Sequence, residues 1–401
     1  MVNDVFGEFS QLAGARRMVD NVYTPSRPID SPEHLKGRDK EVREILNNIT
    51  VPGRHCMIYG DRGIGKSSLA NATLKGVFEN EIIIGDLYNI KCDRPTTFSD
   101  IVGEAAKQVN VMAREHKEEI TKKIGLTARF FKLFETNVGV DKKIIEERRS
   151  ITPREAAEAL SFLSGVILID EFDVTSDEVK SKVAEFIKQL SDYNSDLKVM
   201  IVGISEDGKS LTAGHESVNR CLHEIHLGPV EDAYLLQVVK SGERPLGITF
   251  TDKITNEIVE ISNGFPYFTH LLCKECAHIS LDEGHKCIDS SLFSRAIKNA
   301  VSSAEGRLKR EYEDATYSTR TTVYKEILLS LARLGEYSFS IAQWVEQIEK
   351  DHGVRYSSPT MNNYIGRLSK PEHGSIIKRL TRGIYKVNDP RMPSYIKLVN
   401  S

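Results

Sequence analysis

Residues 60–67 read Gly60-Asp61-Arg62-Gly63-Ile64-Gly65-Lys66-Ser67, the spacing G-x-x-x-x-G-K-S. Glycines at these places let backbone N–H groups face phosphate oxygens, and a helix starting there adds the positive end of its dipole. In such a loop Lys66 reaches the β- and γ-phosphates and Ser67 ligates Mg²⁺, with Ser68 beside it. The surroundings agree. The apolar run Cys56-Met57-Ile58-Tyr59 precedes the loop and a helix-like segment, Ser68 to Val77, follows. A plain Gly-rich turn between strand and helix rarely also carries Lys-Ser.

The second half of such a site lies about a hundred residues on. Val166-Ile167-Leu168-Ile169-Asp170-Glu171-Phe172-Asp173 is an apolar run ending in acids. This predicts a buried parallel strand with carboxylates at its carboxyl edge, where ligands bind in open α/β sheets. Asp170 is placed to hold the Mg²⁺ hydration shell. Glu171 is placed to polarise the attacking water as a general base. The carboxylate pair points to a hydrolase rather than a small-molecule kinase. No Asn/Thr-Lys-x-Asp guanine-reading motif occurs, which favours ATP over GTP.

Two further positions have two readings each. Lys198 to Gly203 reads as another strand, and Ser205 beyond it is either a sensor of the γ-phosphate or the cap of a turn. Leu222 to Leu227 reads as a further strand. Arg220, just before it, reads by residue type as a structural cap on the carbonyls of a helix end, and its second reading comes only from a family resemblance.

These groups need a scaffold, and the chain has room for one. Its 401 residues allow two or three domains, and 40% hydrophobic with 28% charged residues is the balance of a soluble globular chain. No apolar run approaches the length of a membrane span, and the first 28 residues lack a signal-peptide pattern. Six cysteines do not make a disulfide scaffold, so a reducing, cytoplasmic setting is expected. The net charge of −3 is unevenly spread. From Arg320 to Ser401 there are 13 Lys/Arg against 7 Asp/Glu, or +6, which leaves −9 for the rest. A basic tail on an acidic body is suited to nucleic acid or an acidic partner.

Along the chain, residues 1–29 form an extension with an early helix, Phe9 to Val19. A helix from Asp39 to Ile49 carries Val42, Ile45, Leu46 and Ile49 on one face. The second strand is expected over Ile82 to Ile90, followed by a helix from Phe98. Residues 115–150 form a long insertion, basic and aromatic but also rich in glutamate. It reads as a surface for nucleic acid or a partner or, preferably, as an insertion whose aromatics pack on the core while its charges face water. Thr152-Pro153-Arg154-Glu155 forms a capping box with proline at the first helical position. Helices are expected over Glu231–Lys240, Asp252–Ser262, Pro266–Leu281 and Ser290–Ser302. Cys273 and Cys276 have metal-pair spacing, but on a helix they read better as small buried hydrophobes.

The last module reads helix (Tyr324–Leu334), helix (Ile341–Glu349), helix (from Ser358 to Leu368) and hairpin (Ile376–Leu380, Ile384–Val387). That order is a winged helix-turn-helix, with Thr360, Asn362, Asn363 and Arg367 outward on the third helix. Lys378, Arg379, Arg382 and Lys386 lie on the wing. Such a domain either enters a DNA major groove or docks a protein.

From Pro28 to Leu69 the chain resembles AAA+ and STAND ATPases, with a Gly-Arg box at Gly37-Arg38, a Gly-Arg-His lead-in and the phosphate loop. The order of core, lid and winged helix also looks like that of origin-recognition initiators, helicase loaders and bacterial STAND switches. The resemblance implies that Leu35 to Arg38 line the adenine pocket and that Arg220 completes a neighbouring subunit's site. It implies that Pro266, in Asn263-Gly264-Phe265-Pro266, couples the lid to the nucleotide. The lid arginine of the initiators is missing here, as suits a switch.

The expected fold is therefore α/β: a P-loop NTPase parallel-sheet core (30–228, with the 115–150 insertion), an all-helical lid (229–305) and a winged-helix domain (320–401). The expected activity is slow or partner-stimulated hydrolysis of ATP with Mg²⁺. The expected partners are duplex DNA, further copies of the chain or another protein, with no membrane.

Overall fold

The computed structural model describes residues 13–115, 151–205, 208–214, 216–318, 321–336 and 338–401. The chain divides into two compact units. One comprises residues 29–61 and 66–228, and the other residues 13–28, 62–65 and 229–401.

The first unit is built on five parallel strands: β1 (His55–Gly60), β2 (Asp86–Lys91), β3 (Gly165–Asp170), β4 (Leu197–Ile204) and β5 (Leu222–Leu227). Their order is β2-β3-β4-β1-β5. Strands β3 and β4 are buried along nearly their whole length, as continuous apolar runs must be when helices cover both faces.

Because all five strands run the same way, their carboxyl ends share one edge. There Lys91 lies opposite Asp170, and Gly60 opposite Ile204. The helices of this unit are α2 (Asp39–Ile49), α3 (Lys66–Glu79), α4 (Phe98–Glu115), α5 (Pro153–Leu160) and α6 (Asp177–Asp192); α1 (residues 13–22) belongs to the other unit. The capping box at α5 forms as read: Thr152 Oγ1 accepts from Glu155 N, and the Glu155 carboxylate accepts from Thr152 N.

Several boundaries differ from the sequence reading. The second strand starts at Asp86, not Ile82, because Gly85 at φ 126 ends a turn in which Ile82 N bonds back to Val77 O. Ile82 and Ile84 are left exposed at 45% and 79%, so hydrophobicity there did not signal a strand. The early helix covers 13–22, and the expected start at Phe9 lies outside the described residues. So does the 116–150 part of the insertion, with both of its readings.

The second unit is mainly helical: α7 (Asp232–Ser241), α8 (Glu243–Leu246), α9 (Asp252–Ser262), α10 (Pro266–Glu283), α11 (Ser290–Ser303) and α12 (Gly306–Thr316). A two-residue parallel pair, β6 (Thr249–Phe250) with β7 (Cys287–Ile288), adds a strand element that a wholly helical lid would lack. Cys273 and Cys276 are fully buried in α10, Cys273 beside the buried Tyr23.

The chain ends with α13 (Val323–Leu334), β8 (Ser338–Ser340), α14 (Ile341–His352), α15 (Ser358–Leu368), β9 (Ile377–Thr381), β10 (Ile384–Val387) and α16 (Met392–Val399). In this stretch three helices, α13, α14 and α15, accompany a small antiparallel sheet of order β8-β10-β9. Trp344, fully buried, anchors it through Nε1 to Ile327 O and an edge-on contact with Phe339. Ser357 caps α15, its side chain accepting from Thr360 N. Helices α12 and α16 had no counterpart in the sequence reading.

Candidate nucleotide site

Strand β1 ends at Gly60, and the loop to α3 turns through Gly60, Gly63 and Gly65, at φ 147, 77 and 98. Only glycine takes such angles without strain. At Gly60 space is a second constraint, since a Cβ would run into the Leu227 carbonyl at the end of β5. Helix α3 begins at Lys66 itself, two residues before the reading, so its free N–H groups open onto the loop. Lys66 is buried, its Nζ donating to the carbonyls of Gly60 at 3.1 Å and Asp61 at 2.7 Å. Ser68 Oγ accepts from Ile29 N at 3.0 Å, so Ser68 ties down the chain ahead of the Gly-Arg box.

The loop and the acidic strand meet directly. Ser67 Oγ donates to Asp170 Oδ1 at 3.1 Å across 103 residues of sequence. A hydroxyl and a carboxylate oxygen side by side are the hard donors that Mg²⁺ takes. Asp170 also accepts from the Glu171 backbone N at 2.8 Å. Glu171 is left-handed at φ 55, outside the strand's alternation, and its carboxylate is half-exposed.

Asp173 accepts from Ile204 N at 2.8 Å, which ties the acidic loop to the end of β4. The edge is strongly anionic. The Cys92 thiol, one residue past β2, is pushed up to about 12, first by burial and then by Asp170, Asp93, Glu171 and Asp173.

With that geometry in view, comparison with known proteins is decisive at the family level. Residues 30–349 match the model of the family described as Novel STAND NTPase 1. The chain belongs to that family. This STAND NTPase has no match among curated protein sequences. Among solved structures it is similar to the Walker-type ATPase PABY2304 of Pyrococcus abyssi. That pair shares 19% identity over 93% of this chain and 99% of the other, with a TM-score of 0.51. It is also similar to the ORC2 protein of Aeropyrum pernix in ADPNP–ADP complexes, at 13% identity over 94% and 96% of the two chains and a TM-score of 0.49. The likeness to the Pyrococcus ATPase speaks to the fold alone.

The remaining sequence candidates in the STAND NTPase fall as follows. Ser205 is nearly buried; its Oγ shares a hydrogen bond with Ser210 Oγ at 2.7 Å and accepts from Gly208 N at 3.1 Å, the geometry of a turn cap. Arg220 is exposed and pairs at 2.6 Å with Asp192, the last residue of α6. Arg38 is buried and bonds Gly228 O at 2.8 Å and Glu41 at 3.1 Å, while Gly37 makes the left-handed turn ahead of it. Pro266 opens α10 after the left-handed pair Asn263-Gly264, and Gly264 O accepts from Val230 N.

Three features had no sequence reading. Lys91 Nζ lies 3.2 Å from Glu171 Oε1; strand β2, expected to end at Ile90, runs one residue further, to the position level with Asp170. Asp173 was seen only as part of an acidic run. The third concerns residues 62–65, which pack with the C-terminal unit. There Arg62 pairs with Glu305 at 3.4 Å, and the Arg391 side chain covers Gly63 so closely that a Cβ would fall 2.5 Å from its Cδ. Arg391 is buried, which alone would lower its pKa. The hydrogen bonds and charges of Asp389 and Glu305 outweigh burial and hold it above the ordinary arginine value. No sequence spacing announces this cluster, because Arg62, Glu305 and Arg391 are far apart in the chain.

No helix among the described residues is long and apolar enough to cross a membrane.

Proposed function

We propose that this STAND NTPase binds and hydrolyses ATP with Mg²⁺, slowly, and that its nucleotide state controls duplex-DNA binding by the C-terminal winged helix. The observation that carries the hydrolytic part is the 3.1 Å contact of Ser67 with Asp170, which joins the phosphate loop to the acidic strand end.

In this reading the loop N–H groups and the α3 amino end hold the phosphates. Lys66 exchanges its two carbonyl partners for β- and γ-phosphate oxygens. Ser67 and Asp170 would hold Mg²⁺, which when bound neutralises charge on those oxygens. Glu171 takes the proton of the attacking water as its oxygen bonds to the γ-phosphorus and the bond to the bridging oxygen breaks. Ser205 and Arg220 are the candidates for sensing the γ-phosphate and for completing the site of another copy. Gly37, Arg38 and Pro266 are those for the adenine side.

The DNA part rests on charge and shape. The wing carries Lys378, Arg379, Arg382 and Lys386, with Arg379 and Arg382 exposed, and α15 shows Asn362 and Asn363 to solvent. Asparagine reads base edges, and wing cations suit backbone phosphates. Arg367, expected outward, instead stacks 4.0 Å over the Tyr324 ring and donates to Tyr317 O at 2.6 Å. With Arg367 so engaged, α15 offers a DNA groove less positive charge, which favours a second reading, an ATP-driven switch or adaptor whose module docks a protein partner without binding DNA.

The test is the hydrolysis rate and the duplex affinity measured together in ATP and ADP at several salt concentrations. Salt-sensitive duplex binding that changes between the two nucleotides supports the first reading. Nucleotide-dependent self-association without duplex affinity supports the second.

A further inference from the structure

We propose that a strip of tyrosines on the final module stacks unpaired nucleotides, so that the module takes a duplex with a single-stranded tail in preference to a blunt duplex. The proposal rests on the reading of α15 and the wing as a DNA surface and names the DNA that surface suits.

The strip draws on three places in the chain. Tyr324 lies in the first turn of α13, Tyr356 in the turn before α15 and Tyr364 within α15. The Tyr364 ring stands nearly perpendicular to the other two, with each centroid 5.6 Å away. Arg367 extends the row. Its guanidinium lies 4.0 Å over Tyr324 and donates to the carbonyl of Tyr317, a residue 73% exposed.

The module does not use these rings for its core. Phe339 meets Trp344 and Tyr385 in a separate buried group, and Trp344 Nε1 bonds Ile327 O. Tyr324, Tyr356 and Tyr364 are half-buried, and none of their hydroxyls bonds to a described residue. A phenol in a core usually finds a partner, whereas these keep their polar ends in water. The Tyr364 hydroxyl is held above its ordinary value by burial first and then by Tyr356 and Tyr324, so the three phenols form one patch.

Position and charge select the occupant. Helical spacing sets Asn363 and Arg367 one turn apart with Tyr364 beside them, so the strip borders the exposed asparagines of α15. Lys325 and Arg355 adjoin Tyr324 and Tyr356 in the chain, and Arg355 is 74% exposed. The acids nearby are engaged, Glu349 by Arg355 and Glu326 by the Thr322 hydroxyl. The module as a whole carries +6 over residues 320–401. A polyanion with free base faces fits such a surface, because aromatic rings accept any base while cations follow the backbone. Bases inside a duplex are already stacked on their neighbours, so the rings are open only to unpaired ones.

The test measures the affinity of the full chain by fluorescence anisotropy at one salt concentration. The probes are a blunt duplex and the same duplex with a short single-stranded tail at the 3′ or the 5′ end. At least one tailed duplex should bind about fivefold or more tighter, the low end for one stacked base. Tyr356→Leu should remove that gain and Tyr356→Phe should keep it, with blunt-duplex affinity unchanged in both. Trp344 lies in the same module, so its fluorescence verifies that each variant keeps its fold. A gain from neither tail, a gain that survives in Tyr356→Leu, or one lost in Tyr356→Phe overturns the stacking strip. If the blunt duplex fails to bind while a tailed one binds through Tyr356, the duplex reading falls and the strip stands. Absence of all DNA binding overturns both and leaves the rings to a protein partner.

Discussion

His55 gives the sheet a built-in acid sensitivity whose size follows from its surroundings. It begins β1, is fully buried, and accepts from Val199 N at 2.9 Å through Nδ1, which places its proton on Nε2. Nε2 has no hydrogen-bond partner among the described residues. Burial, and then the nearby Lys198 cation, push the imidazole down to about 3. The unfolded chain's histidine titrates near about 6.5.

As pH falls below about 6.5 the unfolded state gains a proton that the folded state refuses until about pH 3. The contribution of His55 is therefore intact above the upper value and is lost progressively through that window. The loss is about 1.4 kcal/mol at pH 5.5 and about 2 kcal/mol at pH 5.0, both relative to pH 7.5.

The chain's single tryptophan, Trp344, lies in the C-terminal unit, so its fluorescence does not report on this sheet. Native-state hydrogen exchange at the Val199 amide does, because that N–H is the group bonded to His55. The opening free energy of Val199 should fall by about 1.4 kcal/mol between pH 7.5 and 5.5, after correction for intrinsic exchange. His55→Asn keeps an acceptor near Nδ1 and removes the titration, so its opening free energy should stay level over the same range. An equal fall in His55→Asn, or a fall below about 0.3 kcal/mol in the parent, would refute the assignment.

Further expectations concern the site and the wing. Lys66→Ala should weaken ATP binding by about 3 kcal/mol, roughly a hundredfold, in equilibrium titrations, because charge-assisted bonds to two phosphates are lost. Gly60→Ala places a Cβ against the Leu227 carbonyl at φ 147, so thermal unfolding should show a loss of at least about 2 kcal/mol along with lost nucleotide binding. Reversing Lys378 and Arg379 to glutamate should lower duplex affinity evenly across sequences and reduce the slope of log affinity against log salt by about 2. A slope unchanged by that double variant would remove the wing from the interface.

The two chemical motifs were legible because each is local. Gly60 to Ser67 and Val166 to Asp173 carry their geometry in strand-loop-helix and strand-end patterns that eight residues suffice to write. The capping box at Thr152 and the helix from Asp252 to Ser262 were readable for the same reason: their bonds join residues three or four apart. The early end given to the second strand shows the limit. Ile82 and Ile84 look like strand residues by hydrophobicity, yet a turn closed by Gly85 exposes them, and β2 runs one residue further than expected, to Lys91.

The sequence by itself thus determined that this chain has a phosphate loop, an acidic strand end, a helical middle and a basic final module. The tertiary structure decided which groups meet. Ser67 reaches Asp170 only because β1 and β3 run parallel to a common edge. Lys91 faces Glu171 only because β2 is the neighbour of β3. Arg391 covers Gly63, and Arg367 is spent on Tyr324, through packing that no local pattern encodes. The reason is physical: hydrophobic periodicity fixes which face of an element is buried, whereas strand order and register fix which polar ends stand side by side.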